Sequence, residues 1–269
     1  MRTLDDEEVE RQAHLHDEAR QTANQIDPVS VEHPAMTVDD GYAIQKAWLR
    51  IELDRGAQLV GHKIGLTSRA MQLAMNIDEP DYGYLLDDMV FHNGCELETS
   101  RYCDPKIEVE LAFVIGERIE GVDVTVDQVL DSTEAVVPAI ELIDARSYRR
   151  HPRTGLTRTV TDTISDNAAD AGIIMGDFRE NPKDLDLPWI AAVCERNGSI
   201  EESGVAAAVL GNPARGVAWL ARRYAPHGVA LEPGQIVLSG SFTRPVDCRV
   251  GDRFRVDYRD LGAIEFSFV

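Results

Sequence analysis

Two runs of helix-type hydrophobic spacing occupy the N-terminal part of the chain. Residues 4–25 are polar apart from a thin apolar stripe, which predicts a solvated helix. A second run follows Thr37, a residue type that caps helix N-termini, and two aspartates in its first turn favour a helix start. This helix should end near Gly56, since glycine commonly terminates helices. We therefore assign residues 1–56 to an N-terminal helical segment packed on the rest of the chain.

Short apolar or alternating runs, which are typical of strands, follow residue 56. The predicted strands cover residues 58–66, 106–116, 136–144 and 172–176, together with much of the tail 234–269. Asn197-Gly198 predicts a hairpin turn between two further strands. These patterns predict an α+β fold in which residues 57–269 form a catalytic β-rich domain.

Helices and loops interrupt this β-rich part. Thr125 is a helix cap before one apolar run, and Asn212-Pro213 combines a cap with the first position of another helix. Residues 147–165 are polar and predict a loop, and residues 78–84 predict a turn. We expect one compact unit rather than two independent domains.

The charge of the chain restricts its partners. With 27 basic and 47 acidic residues among 269, the net charge is −20, which argues against nucleic acid and anionic membranes. A small anionic substrate is compatible with this net charge, because a binding site can carry local positive charge. The acidic N-terminus does not resemble a signal peptide, and no apolar run is long enough to span a membrane. Four scattered cysteines without C-x-x-C spacing agree with a cytoplasmic location.

One predicted strand carries two glutamates on a single face. Because side chains alternate along a strand, the apolar residues from Ile107 to Ile115 share one face, and Glu108 and Glu110 share the other. Burying both carboxylates would cost several kcal/mol each unless a divalent cation compensated them, and oxygen ligands suit Mg²⁺ or Mn²⁺. The alternative is an ordinary solvent-exposed face of an antiparallel sheet.

A third glutamate interrupts another apolar run. Glu141 lies within the predicted strand 136–144 and has no basic residue within four positions. Together with Glu108 and Glu110 it could form a triad of metal ligands that leaves coordination positions open for substrate and water. The spacing alone leaves this hypothesis and the exposed-face alternative about equally supported.

A lysine and an aspartate are candidates for proton transfer. Lys63 lies in an apolar strand between Gly61 and Gly65, which share its face and permit close approach of a ligand. It either extends its ammonium to solvent or acts on a substrate, and Asp81 is either an acid–base group or a turn former. His62 should point to the opposite face and be structural.

Small polar residues supply candidate substrate contacts. Ser165 and Asn167 lie in a polar segment, and Ser241 follows a predicted strand near a glycine. Their hydroxyl and amide groups could bind substrate oxygens. The alternative is that they only cap or terminate the neighbouring elements.

Five motifs in order resemble one known family. GHKIGLTSRAMQ, DEPDYGYLLDDM, KIEVELAFVIG, VVPAIELIDAR and DTISDNAADAG are similar to motifs of the 2-oxopent-4-enoate hydratase/4-oxalocrotonate decarboxylase family. That family belongs to the fumarylacetoacetate hydrolase superfamily. The resemblance extends from about residue 37 to the C-terminus.

The resemblance implies a fold, a cofactor and an assembly. The fold would be the mixed β-sandwich roll of the superfamily, preceded by N-terminal helices. Mg²⁺ or Mn²⁺ would be held at the positions that match Glu108, Glu110 and Glu141. The assembly would be a homo-oligomer built from pentamers.

Two segments narrow the resemblance within the family. TGLTRTVTDTISDNAADAG and GVAWLARRYAPHGVALEPGQIVLSGSFTRPVD most resemble the branch that hydrates 2-oxo-hept-4-ene-1,7-dioate in homoprotocatechuate degradation. This branch implies a metal-dependent hydratase that forms 4-hydroxy-2-oxoheptanedioate. The distal carboxylate of such a substrate would require an arginine. The available candidates are Arg69, Arg146, Arg149, Arg158 and Arg244.

Three alternatives to the hydratase stay open. A 4-oxalocrotonate-type decarboxylase would share the site and release CO₂ instead of adding water. An acylpyruvate hydrolase is disfavoured, because hydrolases of the superfamily typically have an aspartate where Glu141 stands and a His-Glu pair upstream. A non-catalytic partner subunit would have no reason to retain the three glutamates and Lys63.

Overall fold

The structure, a computed structural model, describes residues 2–69, 72–73 and 77–269. Its helices are α1 (Asp6–Thr22), α2 (Val29–Glu32), α3 (Val38–Asp54), α4 (Val126–Ser132), α5 (Val160–Ser165) and α6 (Pro213–Tyr224). Its strands are β1 (Leu59–Gly65), β2 (Asp81–Leu86), β3 (Val90–His92), β4 (Glu96–Leu97), β5 (Lys106–Ile115), β6 (Thr133–Ile143), β7 (Asp170–Met175), β8 (Ala191–Arg196), β9 (Ser199–Val205), β10 (Ile236–Leu238), β11 (Val246–Asp247), β12 (Arg253–Asp257) and β13 (Ala263–Phe268).

The strands form two mixed sheets. The larger sheet has the order β2-β1-β10-β5-β6-β7-β3, and β11 also pairs with β5. The smaller sheet has the order β4-β13-β12-β8-β9. Most neighbours are antiparallel, whereas β1 with β10, β3 with β7, and β4 with β13 are parallel. This architecture confirms the predicted α+β class.

The main core lies between the two sheets. The predicted apolar face of β5, from Ile107 to Ile115, is fully buried there. Phe254 of the smaller sheet and Leu220 of α6 belong to the same cluster. Tyr258 links the sheets, because its hydroxyl donates to backbone carbonyls of both β5 and β6. The opposite face of β5 is thereby turned away from this core.

The N-terminal helices pack beside the larger sheet. Thr37 caps the start of α3, as predicted, and forms a capping box with Asp40. From the same helix, the Gln45 amide donates to the carbonyls of Tyr82 in β2 and Ile164 in α5. The predicted helices are thus confirmed with slightly shorter bounds, while the domain boundary after residue 56 stays a prediction.

Two predicted irregular segments contain regular structure. The predicted turn 78–84 is wrong beyond Pro80, because Asp81 begins β2, which pairs along its length with β1. The predicted loop 147–165 ends in α5, whose first turn is stabilised where the Asp162 carboxylate accepts from the backbone N–H of Thr159. Pairing with β1 makes the first segment a strand, and the cap at Thr159 makes the end of the second a helix, although both segments have a polar composition.

Neither a membrane span nor a disulfide occurs in the described part of the chain. No helix there is both long and apolar enough to cross a membrane. All four cysteines are free thiols.

Candidate active site

Backbone pairing of β5 with β6 brings the three predicted glutamates together. Glu108 lies directly opposite Glu141 in the antiparallel register, and Glu110 is two residues further along the same face. Each residue offers a carboxylate oxygen within 4.8 Å of the other two. Glu110 and Glu141 are fully buried and Glu108 is half-buried. The exposed-face alternative is therefore wrong for this pair of strands.

The buried oxygens of this triad suit a cation. Within the described residues, Glu110 Oε1 and Glu141 Oε2 have no hydrogen-bond partner, and Glu141 Oε1 has only an ionic contact with Lys63. Glu110 Oε2 accepts from the Gly240 backbone N–H at 2.8 Å. Buried carboxylates without donors are unstable unless a positive charge compensates them. Hard oxygen ligands around a small gap fit Mg²⁺ or Mn²⁺.

The proximity of the glutamates changes their acidity. Burial, reinforced by the charge of Glu141, raises the pKa of Glu108 from its ordinary 4.5 to about 8. Burial, together with the charges of Glu141 and Glu108, raises the pKa of Glu110 well above its ordinary value. A bound dication would reverse this effect by favouring the ionised carboxylates.

Lys63 is the cation nearest to the triad in the described chain. It points from β1 to the same face of the sheet, and its Nζ lies 3.0 Å from Glu141 Oε1. The lysine is almost completely buried. Burial alone would lower its pKa, but the carboxylates of Glu141 and Asp81 raise it above its ordinary value. Lys63 is therefore charged in the absence of other ligands.

Asp81 lies next to Lys63 because Gly65 leaves space for it. Gly65 pairs with Asp81 between β1 and β2. A Cβ on this glycine would lie 2.2 Å from Asp81 Oδ1 and 3.0 Å from Lys63 Nζ. Asp81 Oδ1 has no hydrogen-bond partner in the described chain, and burial raises the pKa of this carboxyl. The structure thus brings together both predicted proton-transfer residues.

Asn167 lies over β2 beside this pair. Its amide oxygen accepts from Tyr84 N at 2.8 Å, and its amide nitrogen donates to Tyr84 O at 2.9 Å. A Cβ on Gly83 would approach the Asn167 carbonyl to 2.5 Å, so the loop rests directly on the strand. Residues 167–169 all have left-handed φ, between 51° and 64°. This turn holds Asn167 at the site, and its predicted contact with substrate stays a prediction.

The two predicted serines form hydrogen bonds with the backbone. Ser165 Oγ donates to Thr161 O within α5. Ser241 Oγ donates to Thr243 O at 3.0 Å and accepts from Thr243 N at 3.2 Å. These contacts hold the ends of their segments, and the proposed roles in substrate binding stay predictions.

His62 lies on the opposite face of β1, as strand alternation predicts. Its Nδ1 is 2.9 Å from the hydroxyl of Tyr224 in α6. Burial lowers the pKa of His62 to about 4. The ring is therefore neutral at physiological pH and belongs to the packing beneath the site.

Two features of the site were missed by the sequence reasoning. Asp170, at the start of β7, is buried near the triad, and its Oδ2 has no partner within the described residues. Burial, reinforced by the charge of Glu141, raises the pKa of Asp170. The available signal in the sequence was that Asp170 is a carboxylate at the start of a predicted apolar strand. The second feature is a buried ion pair, in which Arg146 Nε contacts Asp166.

We predict that Glu108→Gln weakens Mn²⁺ binding by about 100-fold or more, because one charged ligand is lost. Isothermal titration calorimetry measures the affinity. Glu134→Gln, an exposed glutamate on β6, is the matched control and should bind Mn²⁺ like the wild type. Without metal, the Glu108 variant should unfold no more easily than the wild type, since one repelling charge is removed. Unchanged affinity would show that Glu108 is not a ligand.

We also predict that the thermal stabilisation by Mg²⁺ grows with pH. The folded-state pKa of Glu108 is raised from 4.5 to about 8. As pH rises through this window, the unfolded chain loses the proton first, so the metal-free folded state loses stability. Mg²⁺ removes that loss by binding the ionised form. Melting temperatures with Mg²⁺ and with EDTA, taken across the window, measure the effect, and a pH-independent difference would contradict it.

Known proteins share both the sequence and the fold. Residues 62–269 match the family described as fumarylacetoacetate (FAA) hydrolase C-terminal. A 2-oxo-hept-4-ene-1,7-dioate hydratase of Escherichia coli is 53% identical over 94% of this chain and 95% of its own length. A 2-hydroxyhexa-2,4-dienoate hydratase of Comamonas testosteroni is 34% identical over 97% of both.

A solved structure resembles the whole molecule. It is the 4-oxalocrotonate decarboxylase from Pseudomonas putida G7 complexed with magnesium and adipate, with a TM-score of 0.94 and 31% identity over 100% of both chains. The similarity confirms the predicted β-sandwich roll with N-terminal helices. The chain therefore belongs to the fumarylacetoacetate hydrolase family, in the group that contains these hydratases and the decarboxylase.

Proposed function

We propose that the protein is a divalent-metal-dependent hydratase that converts 2-oxo-hept-4-ene-1,7-dioate into 4-hydroxy-2-oxoheptanedioate. The observation that carries the proposal is the triad of Glu108, Glu110 and Glu141 on one sheet face beside Lys63 and Asp81. The 53% identity to a hydratase of this name supports the choice of reaction and substrate. The magnesium in the solved decarboxylase supports the choice of cofactor.

The glutamate triad would hold Mg²⁺ or Mn²⁺. When bound, such a cation supplies a Lewis acid for the 2-oxo-acid end of the substrate, where negative charge develops during the reaction. The protein contributes a fixed set of ligands on two paired strands, so the carboxylates need little rearrangement on binding. The Gly240 N–H keeps one oxygen of Glu110 in place.

Lys63 and Asp81 are the proposed proton carriers. Asp81 has a raised pKa because it is buried, so it can hold a proton and release it to a nearby carbon or oxygen. Lys63 stabilises negative charge beside it and is positioned by Glu141. Together they would move the protons that place the carbon–carbon double bond next to the 2-oxo group, so that water can add at C4.

Asn167 is the stronger of the proposed substrate-positioning residues. Its amide uses one N–H and one lone pair on Tyr84, which leaves the other N–H and lone pair for a ligand. Ser165 and Ser241 have no free donor for a substrate, because their hydroxyl protons are donated to backbone carbonyls. We retain all three as candidates in that order.

A decarboxylase is the second candidate function. The solved 4-oxalocrotonate decarboxylase covers the entire chain with a TM-score of 0.94, which supports a shared scaffold. Both reactions need the same stabilisation of charge at the 2-oxo acid. The identity to the hydratase, 53% against 31%, favours the addition of water. Assembly from pentamers and a cytoplasmic location stay predictions from the family resemblance.

The first test supplies freshly generated 2-hydroxyhepta-2,4-dienedioate to the purified protein with Mg²⁺ and, separately, with EDTA. Ultraviolet absorbance follows loss of the diene, and mass spectrometry identifies the product. We expect Mg²⁺-dependent gain of one water. Release of CO₂ instead would move the assignment to the decarboxylase, and no reaction under either condition would refute the proposal.

A second test separates proton transfer from metal binding. Asp81→Asn and Lys63→Met should each lower kcat by about 10²- to 10⁴-fold, since each removes a group that moves or stabilises a proton. Both variants should still bind Mn²⁺ in calorimetry. Asp78→Asn, an exposed aspartate just before β2, is the matched control and should retain wild-type kcat. Near-normal turnover by Asp81→Asn would exclude it as a proton carrier.

A further inference from the structure

Arg158 is a buried cation with too few partners. Its side chain is only 7% exposed, yet its guanidinium makes one hydrogen bond within the described chain, from Nη1 to Asp166 Oδ2 at 3.2 Å. Nε and Nη2 make none there. A guanidinium has five N–H donors, so most of its binding capacity is unused.

The partner of Arg158 is already compensated by another arginine. Arg146 is fully buried and contacts Asp166 through Nε and through its backbone N–H at 2.9 Å. Arg146 Nη2 also donates to the carbonyls of Asp166 and Asp170. Two buried guanidinium groups therefore share one carboxylate, and Arg158 makes the longer contact with it.

The remaining neighbours in the described chain offer the Arg158 guanidinium no further hydrogen bond. The nearby Asp162 carboxylate is occupied by the backbone and hydroxyl groups of Ser30 and Thr159. The backbone N–H of Arg158 donates to the carbonyl of Arg149 across the 149–158 hairpin, and the Arg149 guanidinium is a cation that contacts Asp104. Burial lowers the pKa of Arg158, whereas other arginines with resolved shifts in the described chain have a raised pKa. Such an environment favours a bound anion.

Arg158 is connected to the proposed active site. Its partner Asp166 directly precedes Asn167, which lies on Gly83 and bonds to Tyr84 in β2. Gly83 is the register partner of Lys63. The charge of Arg158 also opposes the rise in the pKa of Asp81. An extended substrate that starts at the glutamate triad and passes Lys63 would therefore approach Arg158 with its far end.

We propose that Arg158 binds the distal carboxylate of the substrate and so selects dicarboxylates over monocarboxylates. This proposal rests on the proposed function, because it assumes that the 2-oxo-acid end lies at the triad. The planar guanidinium can bind a carboxylate through two parallel N–H donors. The other arginine candidates are less suited: Arg146 Nε and Nη2 are bound to Asp166 and Asp170, Arg149 and Arg244 are paired with Asp104 and Glu202, and Arg69 is exposed.

The test compares two substrates on the same preparations of protein. The ratio of kcat/KM for 2-hydroxyhepta-2,4-dienedioate to that for 2-hydroxypenta-2,4-dienoate is measured with Mg²⁺. Arg158→Gln should lower this ratio about 10- to 100-fold, mainly through KM for the dicarboxylate. Arg158→Lys should lower it less, since it keeps a single charge. The ratio is independent of how much of a variant folds.

Matched controls distinguish Arg158 from its neighbours. Arg149→Gln, Arg69→Gln and Arg244→Gln should leave the ratio unchanged. An equal loss on both substrates in Arg158→Gln would show a purely structural role and overturn the proposal. An unchanged ratio, or a drop that follows Arg149 or Arg69 instead, would overturn it as well.

A binding measurement separates this proposal from the proposed function. Calorimetry with adipate and with hexanoate, in the presence of Mg²⁺, compares a dicarboxylate with a monocarboxylate without any turnover. The wild type should prefer adipate, and Arg158→Gln should abolish that preference. If the wild type hydrates neither substrate, the proposed function fails while this result still decides the role of Arg158. Hydration of only the monocarboxylate would refute dicarboxylate selection and leave the hydratase reaction intact.

Discussion

Glu108, Glu110 and Glu141 are held near one another by backbone pairing and not by any attraction between their side chains. Their carboxylates repel, and burial strengthens the repulsion because water cannot screen it. The pairing of β5 with β6 resists this repulsion, since Tyr258 and the apolar side of β5 fix both strands against the smaller sheet. The stability of the main core therefore maintains a cluster of charges that would otherwise separate.

The sheet face that carries the three glutamates has few cations to compensate their negative charge. Lys63 is the only cation that reaches Glu141 within the described residues, and one ammonium cannot balance several buried carboxylates. Asp81 and Asp170 are two further buried carboxyl groups beside it and supply no cation. A site of this kind binds a dication strongly and discriminates against neutral ligands. Arg158, beside Asp166 and Asn167, would supply a cation for the far end of a dicarboxylate that starts at the triad.

Strand alternation explains why much of the site could be predicted from the sequence. The positions of Glu108 and Glu110 on one face follow from the period of two in β5, and Glu141 is conspicuous within an apolar run. Pairings between distant segments carry no such local signal. The carboxylate of Asp170 before an apolar run does not reveal that β7 pairs with β6, and nothing near Arg158 indicates that Arg146 already contacts Asp166. Likewise the bonds from Asn167 to Tyr84 join residues 83 positions apart.

The alternation in β5 also limits how this protein can change over evolutionary time. Insertion or deletion of a single residue before Glu108 would turn carboxylates into the core and isoleucines into the site, since every side chain would switch faces. The length of this strand is therefore fixed even where individual residues can be exchanged. The 149–158 hairpin has no such restriction, because it belongs to neither sheet and a change in its length leaves the register of the strands intact. Descendants of this scaffold can thus acquire new substrate preferences through that hairpin while the chemistry on β5 stays the same.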